Sequence, residues 1–417
     1  MDTTQRPHVE PLDVAQIPFL EIGAPLPQPN LYRKRFRQPP DGLLPGQLVG
    51  VRIPDGKTLG FGLYNPVSEM AVRMLTWGDS PPDEALWDDR LRAAIELRDG
   101  TLKLGEVTDA CWLVHAEGDL LSGFVADQYG DVISVEAFSL GMFQRAESLA
   151  KRLCELRGAN HWLVRTSPHS ETQEGFDAEP LRSESLPNSV TVQEFGTRFR
   201  VRFEGGHKTG FFCDQRDNRK RLAEFCEGKS VLDLCCYTGG FAIQAKVLGK
   251  AADVTGVEID EQPLKLAKEN ANLNQARINF VNADAFAYMR DMLQNGKQYD
   301  VVVLDPPKLI RSRSEIEDGT RLHFDFNRLA MRLVNPGGLF LTCTCAGLLS
   351  HEEFNKLLCS AARQAGPPEP GSENTERPRH LPRQMQIIER TGAGGDHPIS
   401  GNCPESEYLK AVWMRML

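Results

Sequence analysis

No stretch of this chain approaches the ~20 consecutive apolar residues that a membrane-crossing helix needs. The opening Met-Asp-Thr-Thr-Gln-Arg-Pro also lacks the basic-then-apolar layout of a secretory leader. A cytoplasmic protein without membrane contact is the expectation. Its ten cysteines (Cys111, Cys154, Cys213, Cys226, Cys235, Cys236, Cys343, Cys345, Cys359 and Cys403) include no Cys-x-x-Cys pair, which argues against structural zinc and a disulfide framework. Reduced core thiols and no metal are therefore expected. Positive charge is short as well: 48 Lys and Arg against 57 Asp and Glu leave a formal net charge of −9. A protein that coats nucleic acid non-specifically needs the opposite balance. No repeat of solenoid length is present.

What is present is an ordinary globular composition, 41% hydrophobic and 25% charged. At 417 residues the chain exceeds a single core, since cores stop growing beyond about 250–300 residues. Residues 1–30 are Pro-rich and aperiodic and read as a tail. Residues 31–80 read as a small β domain: Gln47–Ile53 and Thr58–Leu63 flank an Asp55-Gly56 hairpin turn, and Met70–Thr76 is a third strand. Residues 81–187 form an α+β middle domain, with a helix over Pro81–Arg98, a hairpin about Tyr129-Gly130-Asp131, a helix over Met142–Arg157 and a strand at Trp162–Arg165. Its tail, Ser167–Pro187, reads as an irregular loop. The hairpin Ser189–Glu204 opens the last domain, 188–417.

In that domain strand and helix alternate: strands Ser230–Cys235, Asp253–Glu258, Ile278–Val281, Tyr299–Leu304 and Leu339–Thr344, with helices Phe241–Leu248, Glu261–Asn274, Ala285–Gln294, Phe324–Val334 and His351–Gln364. Strands buried on both faces and linked by helices indicate a doubly wound parallel α/β sheet of the Rossmann-like kind. Two further apolar runs, Met385–Glu389 and Tyr408–Met414, have no helix between them and predict an antiparallel edge hairpin. A parallel sheet finished in that way is the layout of class I methyltransferases.

Open α/β sheets bind ligands beyond the carboxyl ends of their strands. The first such loop is Asp233-Leu-Cys-Cys-Tyr237-Thr238-Gly239-Gly240-Phe241, whose glycines let a ligand approach the backbone. The second strand ends at Glu258, placed to accept from both ribose hydroxyls of a nucleoside. The third ends at Asp284, which suits the adenine amino group or, equally, a helix N-cap. A dinucleotide site would require Gly-x-Gly-x-x-Gly to hold a pyrophosphate, and that pattern is absent. S-adenosylmethionine has no phosphate and carries an ammonium and a sulfonium, so an acidic loop suits it.

The fourth strand ends Asp305-Pro306-Pro307-Lys308, where the prolines fix an extended loop and Asp305 faces the cofactor pocket. The fifth ends Thr342-Cys343-Thr344-Cys345. Carbon 5 of a pyrimidine is a poor nucleophile until a thiolate adds at carbon 6. Both cysteines share a face, and Cys345 lies nearer the carboxyl end. Cys345 is thus the candidate nucleophile, with Cys343 a core thiol. Upstream, Arg33-Lys34-Arg35-Phe36-Arg37 is the densest basic run, read either as an RNA-facing patch or as an exposed loop.

These residues resemble the RlmI-type large-subunit rRNA cytosine-5 methyltransferase family. Gly206-His-Lys-Thr-Gly-Phe-Phe-Cys-Asp-Gln-Arg216 looks like its signature ahead of the cofactor loop. Tyr237–Phe241, Asp305–Lys308, Thr344–Gly347, Asp396-His-Pro398 and Tyr408-Leu-Lys410 match in order and spacing. Gln47–Thr76 is similar to the family's PUA domain, and Glu117-Gly-Asp119 with Asp127–Asp131 to its middle domain. The likeness spans residue 31 to the end. It implies that Cys345 is the nucleophile, that Asp305 steadies the target base, and that Gln215 and Arg216 lie near the methionine end of the cofactor. One departure is His323-Phe324, where the family usually offers Tyr and Lys.

Expected partners are RNA, ribosomal by the resemblance, with the protein a monomer or homodimer. The favoured reaction is methylation of a cytosine at carbon 5. Methylation of a base nitrogen by the Asp-Pro-Pro loop, and a non-catalytic RNA-binding assembly factor, are the alternatives.

Overall fold

A computed structural model describes residues 16–24, 27–37, 39, 41–203, 211–371 and 380–417. Residues 1–15 of the expected tail and residues 206–210 of the signature lie outside the described residues. The chain divides into two compact units, Met1–Val192 with Val201–Thr209 and Gly395–Ser406, and Gln193–Arg200 with Gly210–Gly394 and Glu407–Leu417.

In the first unit, β1 (Phe19–Glu21), β2 (Asn30–Leu31), β3 (Leu48–Arg52), β4 (Thr58–Tyr64) and β5 (Val72–Trp77) form one sheet in the order β1-β3-β4-β5-β2. The first strand corrects the reading of residues 1–30 as a tail. Phe19–Glu21 is three residues long and pairs parallel with β3, and Leu20 and Ile22 are fully buried. So short a strand among prolines leaves no periodic trace in the sequence.

Helix α1 (Glu84–Glu96) begins at an Asp83 N-cap, so Pro81 and Pro82 precede it rather than start it. A second sheet runs β10-β9-β8-β7-β6, built from β6 (Ala110–His115), β7 (Phe124–Tyr129), β8 (Val132–Ala137), β9 (His161–Arg165) and β10 (Leu181–Arg182), with α2 (Leu140–Arg157) packed on it. Phe61, Leu63 and Leu75 of the first sheet share one hydrophobic cluster with Leu91, Leu113, Phe124 and Leu149. The expected β and middle domains therefore pack as a single body. Within Ser167–Pro187, expected to be irregular, the structure places α3 (Pro168–Glu174). Ser167 caps it, Pro168 opens it and Gly175, at φ +72, closes it. Those signals are present in the sequence, but two turns are too short to show an apolar period.

A loop from late in the chain also belongs to this unit. Asp396 accepts from the Trp112 N–H at 2.9 Å, and its carbonyl accepts from Arg98, whose guanidinium grips Asp119 at 2.7 and 2.8 Å. His115 bonds the Pro398 carbonyl at 2.9 Å. A Cβ on Gly118 would lie 1.9 Å from that carbonyl oxygen, so only glycine fits there.

A hairpin of β11 (Ser189–Glu194) and β12 (Thr197–Arg202), turning on Phe195 and Gly196 at φ +49 and +79, leads into the second unit. After α4 (Arg216–Ala223) come β13 (Ser230–Leu234), α5 (Gly240–Val247), β14 (Asp253–Glu258), α6 (Glu261–Leu273), β15 (Asn279–Asn282), α7 (Ala285–Gln294), β16 (Tyr299–Leu304), α8 (Ile316–Arg332), β17 (Val334–Thr344), α9 (His351–Ala362), β18 (Met385–Thr391) and β19 (Lys410–Met416). The sheet order is β15-β14-β13-β16-β17-β19-β18, parallel except for β19, which lies antiparallel between β17 and β18. The expected doubly wound sheet with its edge hairpin is observed.

One helix departs from expectation. α8 begins two turns before Phe324, behind a Ser312/Glu315 capping box. Its first turns are polar and include Gly319, which reads as a breaker. A Cβ there would sit 2.4 Å from Ile310 Cγ1, so the glycine lets the helix close on the loop that follows β16.

Candidate active site

The loop after β13 is strained. Cys235 and Tyr237 take left-handed φ values of +61 and +49, and Gly239 follows at +83. Two non-glycine residues in that region cost of order 1–3 kcal/mol each. Tertiary bonds hold the loop: Tyr237 N–H donates to Glu258 Oε2 at 2.9 Å, Cys236 N–H to the Val257 carbonyl at 3.0 Å, and Asn270 to the Thr238 carbonyl at 3.2 Å. Phe241 turns its ring into the core, leaving its backbone at the loop.

Asp233, at the end of β13, is 1% exposed. One carboxylate oxygen accepts from Ala242 N–H at 2.9 Å, and the other, Oδ1, has no partner. Burial, with Asp305 and Glu258 close by, pushes its carboxyl well above the usual range. An orphaned acceptor among convergent acids fits a ligand that brings N–H donors and positive charge. Glu258 spends its oxygens on Tyr237, Ile259 and Asp260 N–H groups, and Asp284 caps α7 through the Ala287 N–H at 2.9 Å. Asp284 thus takes the capping role that its position allowed.

Asp305 follows β16, and its Oδ2 accepts from Gln215 Nε2 at 3.0 Å. Arg216 is fully buried at the start of α4. Pro306 is buried, while Pro307 and Lys308 are exposed. The register Leu304↔Thr342 sets Asp305 level with Cys343. Cys343 is fully buried, with its thiol pushed far up by desolvation. Cys345, two residues and about 7 Å further along, is half-buried. Arg33, Lys34 and Arg35 form an exposed turn in the other unit, where Arg33 bonds the Ser68 carbonyl at 2.8 Å.

Sequence reasoning missed several supporting groups. Arg219 and Glu194 form a buried pair at 2.6 and 2.8 Å, and Arg219 also donates to the Phe212 carbonyl and lies against Gly240. Lys410, visible in the sequence as part of a motif but not in its place, is also buried and stands opposite Thr344 in the β17–β19 register, with Nζ 3.4 Å from the Ala346 carbonyl. No sequence signal pairs residues so far apart.

His323, the departure from the family pattern, is 1% exposed and shares a 3.1 Å hydrogen bond with Thr344 Oγ1 beside Cys345. Burial pushes the imidazole down to about 4. An unfolded histidine titrates near ~6.5, so the neutral folded form is fully stabilising above that pH, and the contribution is lost as pH falls from there toward 4. About 2 kcal/mol should disappear between pH 7.5 and pH 5. Urea denaturation across that range should show a shallower loss for His323→Gln than for the wild type; parallel curves would refute this origin.

Among the described residues no cluster of three metal-ligating side chains occurs, and no helix is long and apolar enough to cross a membrane. Residues 111–384 match the model of the S-adenosylmethionine-dependent methyltransferase family, and residues 28–77 that of a PUA-like domain. Ribosomal RNA large subunit methyltransferase I of Photobacterium profundum is 33% identical over 375 residues, covering 88% of this chain and 89% of that protein. The protein of the same name from Shewanella frigidimarina is 34% identical over 377 residues, covering 89% and 90%.

The chain belongs to this RlmI-type methyltransferase family. Its methyl donor is S-adenosylmethionine. Two solved structures share its fold across 96% of this chain and all of theirs. One is a protein assigned as a methyltransferase and crystallised with S-adenosylhomocysteine, at TM-score 0.79 and 17% identity. The other is a Streptococcus mutans protein assigned as a SAM-dependent methyltransferase, at 0.76 and 18%. In this methyltransferase the strands that carry Asp233, Glu258, Asp305 and Cys345 at their carboxyl ends are parallel neighbours in one sheet, so these residues lie at the same end of it.

Proposed function

We propose that this methyltransferase modifies carbon 5 of a cytosine in large-subunit ribosomal RNA through a covalent Cys345 adduct, in the cytoplasm, where ribosomes work. The observation that carries the reading is the half-buried Cys345 at the strand end next to the one bearing Asp305, in contrast to the sealed Cys343. The names of the relatives supply the substrate class.

Asp233 would accept from the cofactor's ammonium, Glu258 from its ribose hydroxyls and Asp284, through the oxygen that does not cap α7, from its adenine amino group, with the backbone of Tyr237–Phe241 against it and Arg216 beside the methionine carboxylate. When bound, the cofactor supplies a methyl group on a sulfonium. The Cys345 thiolate would add to carbon 6 and push the carbon 5–carbon 6 π pair onto carbon 5, and that pair would take the methyl group as the methyl–sulfur bond breaks and the sulfur keeps its electrons as a neutral thioether. A base then removes the carbon 5 proton, and the electrons of that bond restore the double bond and expel the thiolate. Asp305 holds the base edge, Pro306 and Pro307 stiffen its loop, and Lys308, Arg33, Lys34 and Arg35 are cations available to phosphates.

Large-subunit rRNA transcribed with 5-fluorocytidine tests the reading. Fluorine cannot leave as a proton does, so wild-type enzyme with S-adenosylmethionine should form an RNA adduct that survives denaturing gels. Methylation of ordinary RNA at a base nitrogen, with no adduct on fluorinated RNA, would overturn it. Transfer to no RNA at all would favour an assembly factor.

A further inference from the structure

The groups behind Asp305 form a chain of hydrogen bonds in the second unit. Trp413 Nε1 donates to Thr391 Oγ1 at 2.9 Å, and Thr391 Oγ1 donates to Asn218 Oδ1 at 2.6 Å. Asn218 Nδ2 donates to Gln215 Oε1 at 2.7 Å, and Gln215 Nε2 donates to Asp305 Oδ2 at 3.0 Å. Gln215, Asn218 and Trp413 are all at least nine-tenths buried, and the Asn218–Gln215 link at the centre of the chain is fully buried, while Thr391 and Asp305 are half-buried.

The direction of this chain is set at two places. An indole N–H only donates, so Thr391 must accept from Trp413 and has its own hydrogen to pass on. A backbone carbonyl only accepts, and the Gly392 carbonyl lies 3.1 Å from Asn218 Nδ2. The amide nitrogen of Asn218 must therefore face Gly392, which leaves its oxygen for Thr391. That same nitrogen requires an acceptor from Gln215, so the Gln215 nitrogen is turned to Asp305.

We propose that this relay, with Asn218 as the residue that sets its polarity, holds the Asp305 carboxylate in place as a hydrogen-bond acceptor and thereby selects a base with an exocyclic amino group over one with a carbonyl. Cytosine offers a donor at its N4 position, whereas uracil presents the O4 acceptor there. A carboxylate held as an acceptor attracts the first and repels the second. Sites built to pair one polar group reject its unpaired counterpart by about 10⁴–10⁵-fold. The inference rests on the proposed base-modifying reaction, but not on which atom of an amino-bearing base is methylated. Asn218, Thr391 and Trp413 are positioning residues, since they act through Gln215 and Asp305.

Asn218→Asp keeps the shape and removes the donor. The carboxylate so introduced can give a hydrogen bond neither to Gln215 nor to the Gly392 carbonyl, so Gln215 is free to turn its oxygen to Asp305. The experiment compares methyl transfer to a large-subunit rRNA transcript with transfer to the same transcript carrying uridine at the mapped target. Wild type should prefer cytosine by at least about 10³-fold in kcat/KM, and Asn218→Asp should narrow that ratio at least tenfold. S-adenosylhomocysteine binding confirms that the variant is folded. If it is not, Gln215→Glu, which replaces the same donor at the last link, should narrow the ratio in its place.

A purely structural role would depress both substrates alike and leave the ratio unchanged, and that result overturns the proposal. Wild-type enzyme that accepts the uridine transcript, or transfers to neither, overturns it too. The fluorinated-RNA experiment separates the two claims, because loss of the adduct with the base preference intact removes only the Cys345 mechanism.

Discussion

Cys345→Ala is expected to reduce methyl transfer by at least about 10³-fold, because loss of a covalent nucleophile removes a whole reaction route rather than one favourable contact. The substitution deletes a single sulfur at a half-buried strand end. The proposed cofactor loop, with its bonds from Tyr237, Cys236 and Asn270 to neighbouring groups, is untouched. Affinity for S-adenosylhomocysteine should therefore stay within about twofold, as measured by calorimetry. Cys343→Ala makes the contrasting case: it opens a small cavity in a sealed core, and its cost is read in melting temperature. Normal product from Cys345→Ala would remove the nucleophile assignment even though the fold and family stand.

Arg219→Met should destabilise the second unit by about 3–5 kcal/mol, the usual consequence of leaving one partner of a buried ion pair without its counter-charge. The Glu194 side chain is fully buried and that of Arg219 is 4% exposed. Among the described residues Glu194 has one further side-chain donor, Gln244, which carries no charge. The double variant Glu194→Leu/Arg219→Met should recover part of the loss, since an apolar pair leaves no charge stranded; a double variant as unstable as the sum of the singles would refute the pairing as the cause. Arg219 also donates to the Phe212 carbonyl at 2.8 Å, stacks on Phe211 and lies against Gly240. Cofactor affinity should accordingly fall with stability in Arg219→Met and return in part in the double variant.

Both residues show where sequence reasoning stops. The strands and helices of the second unit were legible because buried parallel strands are apolar on both faces and α/β helices carry a clear period. Ends marked by caps, such as Asp284 before α7, were readable as well. Elements shorter than a period were not: β1 and α3 have caps or burial but too few residues to repeat a pattern. The first turns of α8 were hidden because Gly319 reads as a breaker until Ile310 is seen against it. Asp396-His-Pro398 was visible as a motif, yet its place with Arg98, Trp112 and His115 was not, because nearly three hundred residues separate the partners.

The candidate site divides in the same way. Asp233, Glu258, Asp305 and Cys345 stand at strand ends, and a strand end is a local property that one chain segment announces. The groups that orient them do not announce themselves: Asn218, Thr391 and Trp413 are ordinary residues of a helix and an edge hairpin until the hairpin folds back on α4.

By itself, then, the order of residues determined the parallel sheet, the acidic loop proposed for the cofactor and the thiol at the fifth strand's tip, since each follows from periodicity or from chemistry within a few residues. Only the folded chain decided which thiol is sealed and which is open, and which way the amides behind Asp305 point. It also decided that a late loop belongs with the first unit. Burial and hydrogen-bond direction depend on what lies across the fold, and a linear sequence does not specify those neighbours.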